Sequence, residues 1–127
     1  MNQEFLSIEV AGQKQGRIYH MMNSLVVPRP IAFVTTVGSN YVVNAAPFSW
    51  FNAVCSSPPI LSISIARRGN ELKDTARNIR DTGEFVVNIC PRLLAPEVSL
   101  AAGDWPADVS EVVLTGLTHG RNPAPAL

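Results

Sequence analysis

The sequence predicts a mainly β domain with flanking helices, in which four or five antiparallel strands form a barrel or half-barrel. Runs rich in β-branched and aromatic residues recur along the chain, and turn residues separate them. Few segments have a helical pattern, so the regular alternation of strands and helices that marks a parallel doubly wound sheet is missing. A length of 127 residues, 46% of them hydrophobic, suits one domain with a modest core.

Five segments have the composition of strands, namely residues 31–37, 41–46, 60–65, 85–89 and 112–114. The first two form a predicted hairpin, because Gly38-Ser39-Asn40 supplies a three-residue turn between them. Pro47 is expected to interrupt strand pairing, so that residues 48–54 leave the sheet as an aromatic-rich segment. A stiff turn at residues 56–59 precedes the third strand, and the last segment begins a fifth.

Three segments have a helical pattern, namely residues 19–25, 73–82 and 92–102. Two prolines shortly after the first segment end it, because proline does not continue a helix. Asp74 or Thr75 is expected to cap the second segment, and Gly83 follows its last turn, where a glycine often ends a helix. We expect residues 119–127 to be a disordered, low-complexity tail.

Charge and cysteine content argue against several classes of function. Ten basic and ten acidic residues leave no net charge and no long run of one sign, so a nucleic-acid partner is not expected. Cys55 and Cys90 are too few for a disulfide scaffold and are interpreted as free thiols in a reducing compartment. The histidines, His20 and His119, do not have metal-ligand spacing to a cysteine or glutamate.

Motifs for hydrolysis and for targeting are also missing. The chain has no G-x-S-x-G turn and no glycine-rich phosphate loop, and its serines have no visible base partner. No signal-peptide pattern opens the sequence, and no apolar stretch approaches ~18 residues. We therefore expect a cytoplasmic protein without a membrane partner.

The loop after the third strand has the charges of a site for a small anion. Arg67 and Arg68 lie in this loop, Lys73 precedes the predicted helix and Thr75 lies in its first turn. A phosphate monoester would meet several donors there, because the first N–H groups of a helix lack partners within it and its dipole is positive at that end. The alternative is a solvated loop in which Asp74 caps the helix and neutralises Lys73.

A second candidate region is residues 44–51, Asn-Ala-Ala-Pro-Phe-Ser-Trp-Phe. Its small residues let a flat ligand approach the backbone, Pro47 frees a carbonyl from pairing, and Ser49 offers a polar edge. Thr35 and Thr36 on the neighbouring strand can add hydroxyls to the same pocket. The alternatives are a core segment with an aromatic anchor, and threonines that are only good strand formers.

Several motifs, taken in order, carry a resemblance to a known family. They are Arg-Pro-Ile-Ala-Phe-Val-Thr-Thr (29–36), Asn-Ala-Ala-Pro-Phe-Ser-Trp-Phe (44–51), Ser-Pro-Pro (57–59), Lys-Asp-Thr-Ala-Arg-Asn-Ile (73–79) and Thr-Gly-Glu-Phe-Val-Val-Asn (82–88). This ordered set resembles the flavin reductase-like family from about residue 22 to about residue 88, and more loosely to residue 118.

The resemblance implies the FMN-binding split barrel, an antiparallel split β-barrel, as the fold and FMN as the cofactor. It implies that the isoalloxazine ring and ribityl chain are lined by Thr35, Thr36, Ala45, Ala46, Pro47, Phe48 and Ser49, and that the loop of Cys55, Ser56 and Ser57 closes beside them. It also implies that the phosphate is held by Arg67, Lys73 and Thr75. No catalytic side chain and no metal are expected, because the cofactor carries the chemistry.

The activity that the resemblance implies is NAD(P)H-dependent reduction of flavin, with hydride passing from NADH or NADPH to flavin N5. The alternative is an FMN-binding electron carrier, or a flavin-binding subunit or fragment without turnover. Members of the family usually form homodimers, so we expect a homodimer and consider a redox partner protein. Members also continue with further strands, so residues 1–127 are expected to be a single domain without its C-terminal part and with an incomplete barrel.

Overall fold

Two antiparallel sheets make up the β part of residues 7–118, the part of the chain that the computed structural model describes. The strands are β1 (Ala32–Val37), β2 (Val43–Phe48), β3 (Phe51–Ser56), β4 (Pro59–Ile63) and β5 (Val86–Ile89). β1 lies in the middle of a three-stranded sheet of order β2-β1-β5, while β3 and β4 form a separate two-stranded sheet. Within these residues the two sheets do not close into a barrel. The predicted mainly β, antiparallel fold class is confirmed.

In this part of the chain four helices flank the sheets. They are α1 (Gln15–Leu25), α2 (Asp74–Thr82), α3 (Ala95–Ala101) and α4 (Glu111–Leu114), with a 3-10 turn at Arg92–Leu94 before α3. α2 packs on β1 and β2, and α3 and α4 pack on β2. The edge strand β2 therefore contacts three helices, which position the segment that carries the candidate site.

The three-stranded sheet has a core on each face. One core consists of Phe33, Ala45, Val98, Ala101 and Val112, and the other of Ala32, Val34 and Phe48. Successive residues of a strand point to opposite faces, so Phe33 faces α3 and α4 while Val34 faces the β3–β4 sheet. The near-continuous apolar character of the first predicted strand follows from this burial on both sides.

The prediction that Pro47 interrupts the sheet is wrong. Pro47 lies inside β2 and pairs in register with Phe33 of β1. Within residues 7–118 β2 is an edge strand, so one side of it has no partner strand and a missing N–H group is tolerated there. After Phe48 the chain does leave this sheet, as predicted, and Phe51–Ser56 then forms β3, which pairs with β4 in the second sheet.

The fifth predicted strand, residues 112–114, is instead part of helix α4. Val112 is buried and its neighbour Val113 is exposed, and the N–H group of Thr115 donates to the carbonyl of Glu111. Three adjacent apolar residues suit a strand as well as one turn of a helix, so the pattern alone did not decide between them. Contacts of Ser110 and Glu111 with β2 fix the helical turn.

Helix α2 is confirmed, but its predicted cap is wrong. Lys73 is the N-cap residue, and no side chain in the described part of the chain caps the helix. Asp74 pairs with Arg77 one turn later. At the other end, Gly83 adopts a left-handed conformation with φ of 74°, as the sequence predicts. The tail predicted for residues 119–127 lies outside the described residues.

Candidate functional site

A small cleft lies where α2 begins against strand β2. Its volume is about 80 Å³. Its lining includes Asn44, Ala46, Pro47, Phe48, Arg68, Lys73, Asp74, Thr75 and Glu111, together with the segment Ala101–Trp105. The two candidate regions of the sequence, the proline-containing strand and the start of the helix, therefore meet in one place.

Two amide–hydroxyl hydrogen bonds attach α2 to the sheet beside this cleft. Asn44 Nδ2 donates to Thr75 Oγ1 at 3.0 Å, and Asn78 Nδ2 donates to Thr36 Oγ1 at 3.0 Å. All four side chains are buried. The contacts fix the start of the helix on β1 and β2, which places Thr75 and the first helical N–H groups at the cleft.

The charges around the cleft are partly compensated. Arg68 pairs with Asp104 across the opening, and Arg77 pairs with Asp74. Lys73, the N-cap residue of α2, also lines the cleft, and among the described residues it forms no ion pair. Asp74 thus neither caps the helix nor forms an ion pair with Lys73, in contrast to the alternative interpretation of the loop.

Glu111 is a cleft residue that the sequence analysis missed. Its side chain is 7% exposed, and its Oε2 accepts the backbone N–H of Ala45 at 2.9 Å. Ser110 Oγ donates to the carbonyl of Val43 at 2.7 Å. The start of α4 thus satisfies backbone groups of the edge strand that no partner strand reaches. Nothing in the sequence signals this contact, because 66 residues separate Glu111 from Ala45.

The structure brings five of the thirteen predicted site residues into the cleft: Ala46, Pro47, Phe48, Lys73 and Thr75. Thr36 and Ala45 are buried beside it, and their polar groups are already bonded to Asn78 and Glu111. Thr35 is half-buried and accepts a hydrogen bond from Asn88 Nδ2 at 3.3 Å.

The remaining predicted residues do not line this cleft. Arg67 is exposed and donates to the carbonyl of Asn70 at 3.1 Å, whereas its neighbour Arg68 lines the opening. Ser49 lines a different, larger cavity. Cys55, Ser56 and Ser57 lie exposed at the turn between β3 and β4, where Cys55 Sγ contacts the carbonyl of Ser57 at 3.3 Å.

Two further findings concern residues 7–118. No group of three or more histidine, cysteine, aspartate or glutamate side chains in this range is arranged to hold a metal ion. Among its helices, none has the length and apolar character needed to cross a bilayer.

Comparison with known protein families identifies the fold. The family model described as flavin reductase like domain matches residues 22–127, which is most of the chain. The chain belongs to the flavin reductase-like family. The match includes both the strand segment around Pro47 and the start of α2, and it confirms the resemblance that the ordered motifs predicted.

Individual relatives agree with this assignment. The uncharacterised protein YwrF of Bacillus subtilis is 46% identical over 99 residues, which are 78% of this chain and 48% of YwrF. Nitrilotriacetate monooxygenase component B from Bacillus cereus superposes with a TM-score of 0.92 at 37% identity, over 96% of this chain and 60% of that one. The 2-nitrobenzoate 2-nitroreductase NbaA of Pseudomonas fluorescens superposes with a TM-score of 0.81 at 30% identity, over 94% of this chain and 56% of that one. The chain thus spans about half to three-fifths of the length of these relatives.

Proposed function

We propose that this domain binds FMN and takes part in the reduction of the flavin by NADH or NADPH. Membership of the flavin reductase-like family supports a flavin-related redox role. The observation that carries the proposal is the meeting of Lys73, Thr75 and the uncapped start of α2 with the Pro47 segment in one cleft.

The chemistry of the cleft fits the phosphate end of FMN. Lys73 supplies a positive charge without a partner among the described residues, and the first N–H groups of α2 are not capped by any side chain. Thr75 Oγ1 accepts from Asn44, which leaves its own hydrogen for an acceptor. Charged and dipolar donors at a helix start are a common arrangement for phosphate groups.

The enclosed volume limits what the cleft itself can hold. About 80 Å³ is far below the roughly 300–1,000 Å³ of pockets that enclose a whole drug-sized ligand. The cleft is therefore proposed as the phosphate subsite. The proposed contacts of the ring system are Thr35, Thr36 and residues 45–49, together with residues 55–57, as the family resemblance implies. Arg67 is proposed as a further phosphate contact on the same ground.

In this proposal the protein holds and orients FMN, and FMN is the reactive group. Bound FMN supplies an acceptor for hydride from a nicotinamide. The described residues around the cleft provide no pair of general acid and base: Asp74 is paired with Arg77, Asp104 is paired with Arg68, and Glu111 is bonded to the backbone of β2. Backbone and side-chain donors fix the phosphate, and α4 holds the strand segment that would lie beside the rest of the ligand.

A second candidate function is an FMN-binding electron carrier, or a flavin-binding subunit without turnover. This candidate needs only a flavin site, and the cleft at α2 would supply the phosphate end of that site. A redox partner protein would then exchange electrons with the flavin. We also propose that the protein is a cytoplasmic homodimer.

Consumption of NADH or NADPH separates the two candidates. With added FMN, the purified chain is expected to oxidise one of the nicotinamides steadily, measured as the loss of absorbance at 340 nm. Flavin-loaded protein that is bleached by dithionite but by neither nicotinamide would instead support the carrier or subunit.

A pair of flavins tests the phosphate subsite directly. Lys73→Ala, alone or with Arg67→Ala, is expected to weaken the binding of FMN by roughly tenfold or more. The binding of riboflavin should be weakened far less, because riboflavin lacks the phosphate. Binding is measured by quenching of flavin fluorescence. Arg68→Ala is expected to have a larger effect than Arg67→Ala, since only Arg68 lines the cleft.

The matched control is Arg80→Ala, an exposed cation at the other end of the same helix. It should leave both affinities unchanged. Equal loss of FMN and riboflavin in the Lys73 variant would place the phosphate elsewhere.

A further inference from the structure

Glu111 is a buried carboxylate that lines the cleft at the start of α2, and the proposed contacts of FMN do not include it. Its Oε2 accepts the backbone N–H of Ala45 at 2.9 Å. Its other oxygen, Oε1, has no hydrogen-bond partner among the described residues, and it keeps some accessible surface. Since Glu111 is part of the cleft wall, Oε1 is an acceptor that a ligand in the cleft can reach.

The hydrogen-bonding capacity of Glu111 is largely unused. A carboxylate has roughly four acceptor sites, and the bond to Ala45 occupies one of them. Burial of a carboxylate is unfavourable unless donors satisfy its oxygens. A ligand that brings a donor to Oε1 would therefore bind more tightly than one that does not.

The cleft wall combines groups that attract a phosphate with a group that repels one. Lys73 and the uncapped start of α2 supply positive charge and N–H donors. Asp74 and Asp104 also line the cleft but pair with arginines, whereas Glu111 has no ion pair within residues 7–118. A negatively charged phosphate is therefore unfavourable beside Glu111, and a hydroxyl, which can donate, is favourable there.

The size of the cleft links the two requirements. Because its volume is only about 80 Å³, a group held by Lys73 and a group held by Glu111 would be close neighbours on one ligand. A phosphate ester with a hydroxyl a few bonds away has this pattern. FMN is such a ligand, since its phosphate is attached to a ribityl chain that carries hydroxyls.

We propose that Glu111 is a binding residue that selects the ribityl hydroxyls of FMN. Its Oε1 accepts a hydrogen bond from a hydroxyl of the chain while Lys73 holds the neighbouring phosphate. The inference rests on the proposed FMN site and adds to it a preference for polyol phosphates over simple alkyl phosphates.

Two flavins that differ only in these hydroxyls test the proposal. They are FMN and 5-phosphopentyl flavin, the analogue in which hydrogens replace the ribityl hydroxyls while ring and phosphate are kept. The unaltered chain is expected to bind FMN roughly tenfold more tightly than the analogue, because a hydrogen bond to a charged group is lost with the hydroxyls. Binding is measured by quenching of flavin fluorescence.

Two variants assign this preference to Glu111. Glu111→Leu removes both oxygens at similar size and should abolish the preference for FMN over the analogue. Glu111→Gln keeps an acceptor for Ala45 and should reduce the preference to about threefold or less, because a neutral amide forms a weaker bond. The second variant keeps the test decisive if Glu111→Leu does not fold.

The matched control is Ser110→Ala. Ser110 Oγ donates to the carbonyl of Val43 at 2.7 Å, so the variant removes the neighbouring contact of α4 with β2, but Ser110 does not line the cleft. It should keep the full preference for FMN. The same loss of preference in Ser110→Ala as in the Glu111 variants would show that position of β2, and not contact with the ligand, is responsible.

Equal affinity of the unaltered chain for FMN and the analogue, or a full preference in Glu111→Gln, would also overturn the inference. Both results leave the preference of the chain for FMN over riboflavin intact. Failure of the proposed function looks different: the chain would bind no flavin, or would bind FMN and riboflavin equally, and the inference would fall with it.

Discussion

Two threonine hydroxyls hold helix α2 on the sheet through equivalent contacts, yet only one of them lines the cleft. Thr36 accepts from Asn78, and Thr75 accepts from Asn44, each at 3.0 Å. Both threonines are buried, but only Thr75 is part of the cleft wall. The pair therefore allows a structural role and a binding role to be measured apart.

Replacing each threonine by valine, which has nearly the same shape, tests this distinction. Thr36→Val and Thr75→Val are each expected to lower the free energy of unfolding by about 1–3 kcal/mol, because each leaves a buried amide without its acceptor. Urea denaturation measures this loss. Only Thr75→Val should also weaken FMN relative to riboflavin; the same loss of FMN affinity in both variants would contradict a direct contact of Thr75 with the phosphate.

The sequence indicated which polar residues lie together at the start of α2, but not the buried polar pairs that join distant parts of the chain. Lys73 and Thr75 were predicted as site residues because a helix start, a cation and a hydroxyl are adjacent in sequence. The bonds from Asn44 to Thr75 and from Ala45 to Glu111 join residues 31 and 66 positions apart. A single sequence contains no pattern for such contacts, because either partner has several alternatives of similar energy.

At the level of elements, α2 shows which local signals are reliable. Gly83 has a φ of 74°, and a Cβ atom built on it would meet nothing within 4 Å. The glycine is therefore needed for the backbone conformation and not for space. Gly16, in the first turn of α1, also has open space around it, but it does not have a positive φ.

Replacing each glycine by alanine should change the stability of the protein in opposite directions. Gly83→Ala is expected to destabilise the protein by about 1–2 kcal/mol, since left-handed backbone is strained for residues with a Cβ atom. Gly16→Ala is expected to stabilise it by up to about 1 kcal/mol, because alanine is the better helix former. Thermal unfolding of the two variants checks both signs; a stabilising Gly83→Ala would show that α2 does not end as described.

The short apolar runs were the weak point of element prediction. Residues 85–89 were expected as a strand and residues 112–114 as the start of another, on similar grounds. Pairing with β1 makes the first of them β5, whereas contacts of Ser110 and Glu111 with β2 turn the second into α4. The partner that each run meets decided its structure.

At the scale of the whole molecule, strands β1 and β2 are well buried, whereas β3, β4 and β5 are largely exposed. The two cores cover both faces of the three-stranded sheet. In the two-stranded sheet, Val54 of β3 and Leu61 of β4 are 63% and 50% exposed, and at the edge of the other sheet Ile89 of β5 is 79% exposed. Exposed apolar residues of this kind are typical of surfaces that associate with another chain, and they support the proposed homodimer.

Sedimentation equilibrium tests the homodimer. The purified chain is expected to show twice the mass of one copy, and Leu61→Lys with Ile89→Lys is expected to shift it towards a monomer by placing charges on the apolar surface. Tyr41→Asn, at the exposed turn between β1 and β2, is the control. A single-copy mass for the unaltered chain across all concentrations would contradict the proposal.

The sequence by itself determined the antiparallel class, the β1–β2 hairpin and α2 with its glycine end. It also determined that Lys73 and Thr75 lie at the start of α2. These features depend on local preferences, which are encoded in a few adjacent residues. Only the tertiary structure decided that Pro47 stays inside an edge strand, that residues 112–114 are helical, and that Arg68 and not Arg67 faces the cleft. Each of these depends on contacts with distant parts of the chain, such as the backbone groups of β2 that Ser110 and Glu111 satisfy and the ion pair of Arg68 with Asp104, and local sequence does not encode them.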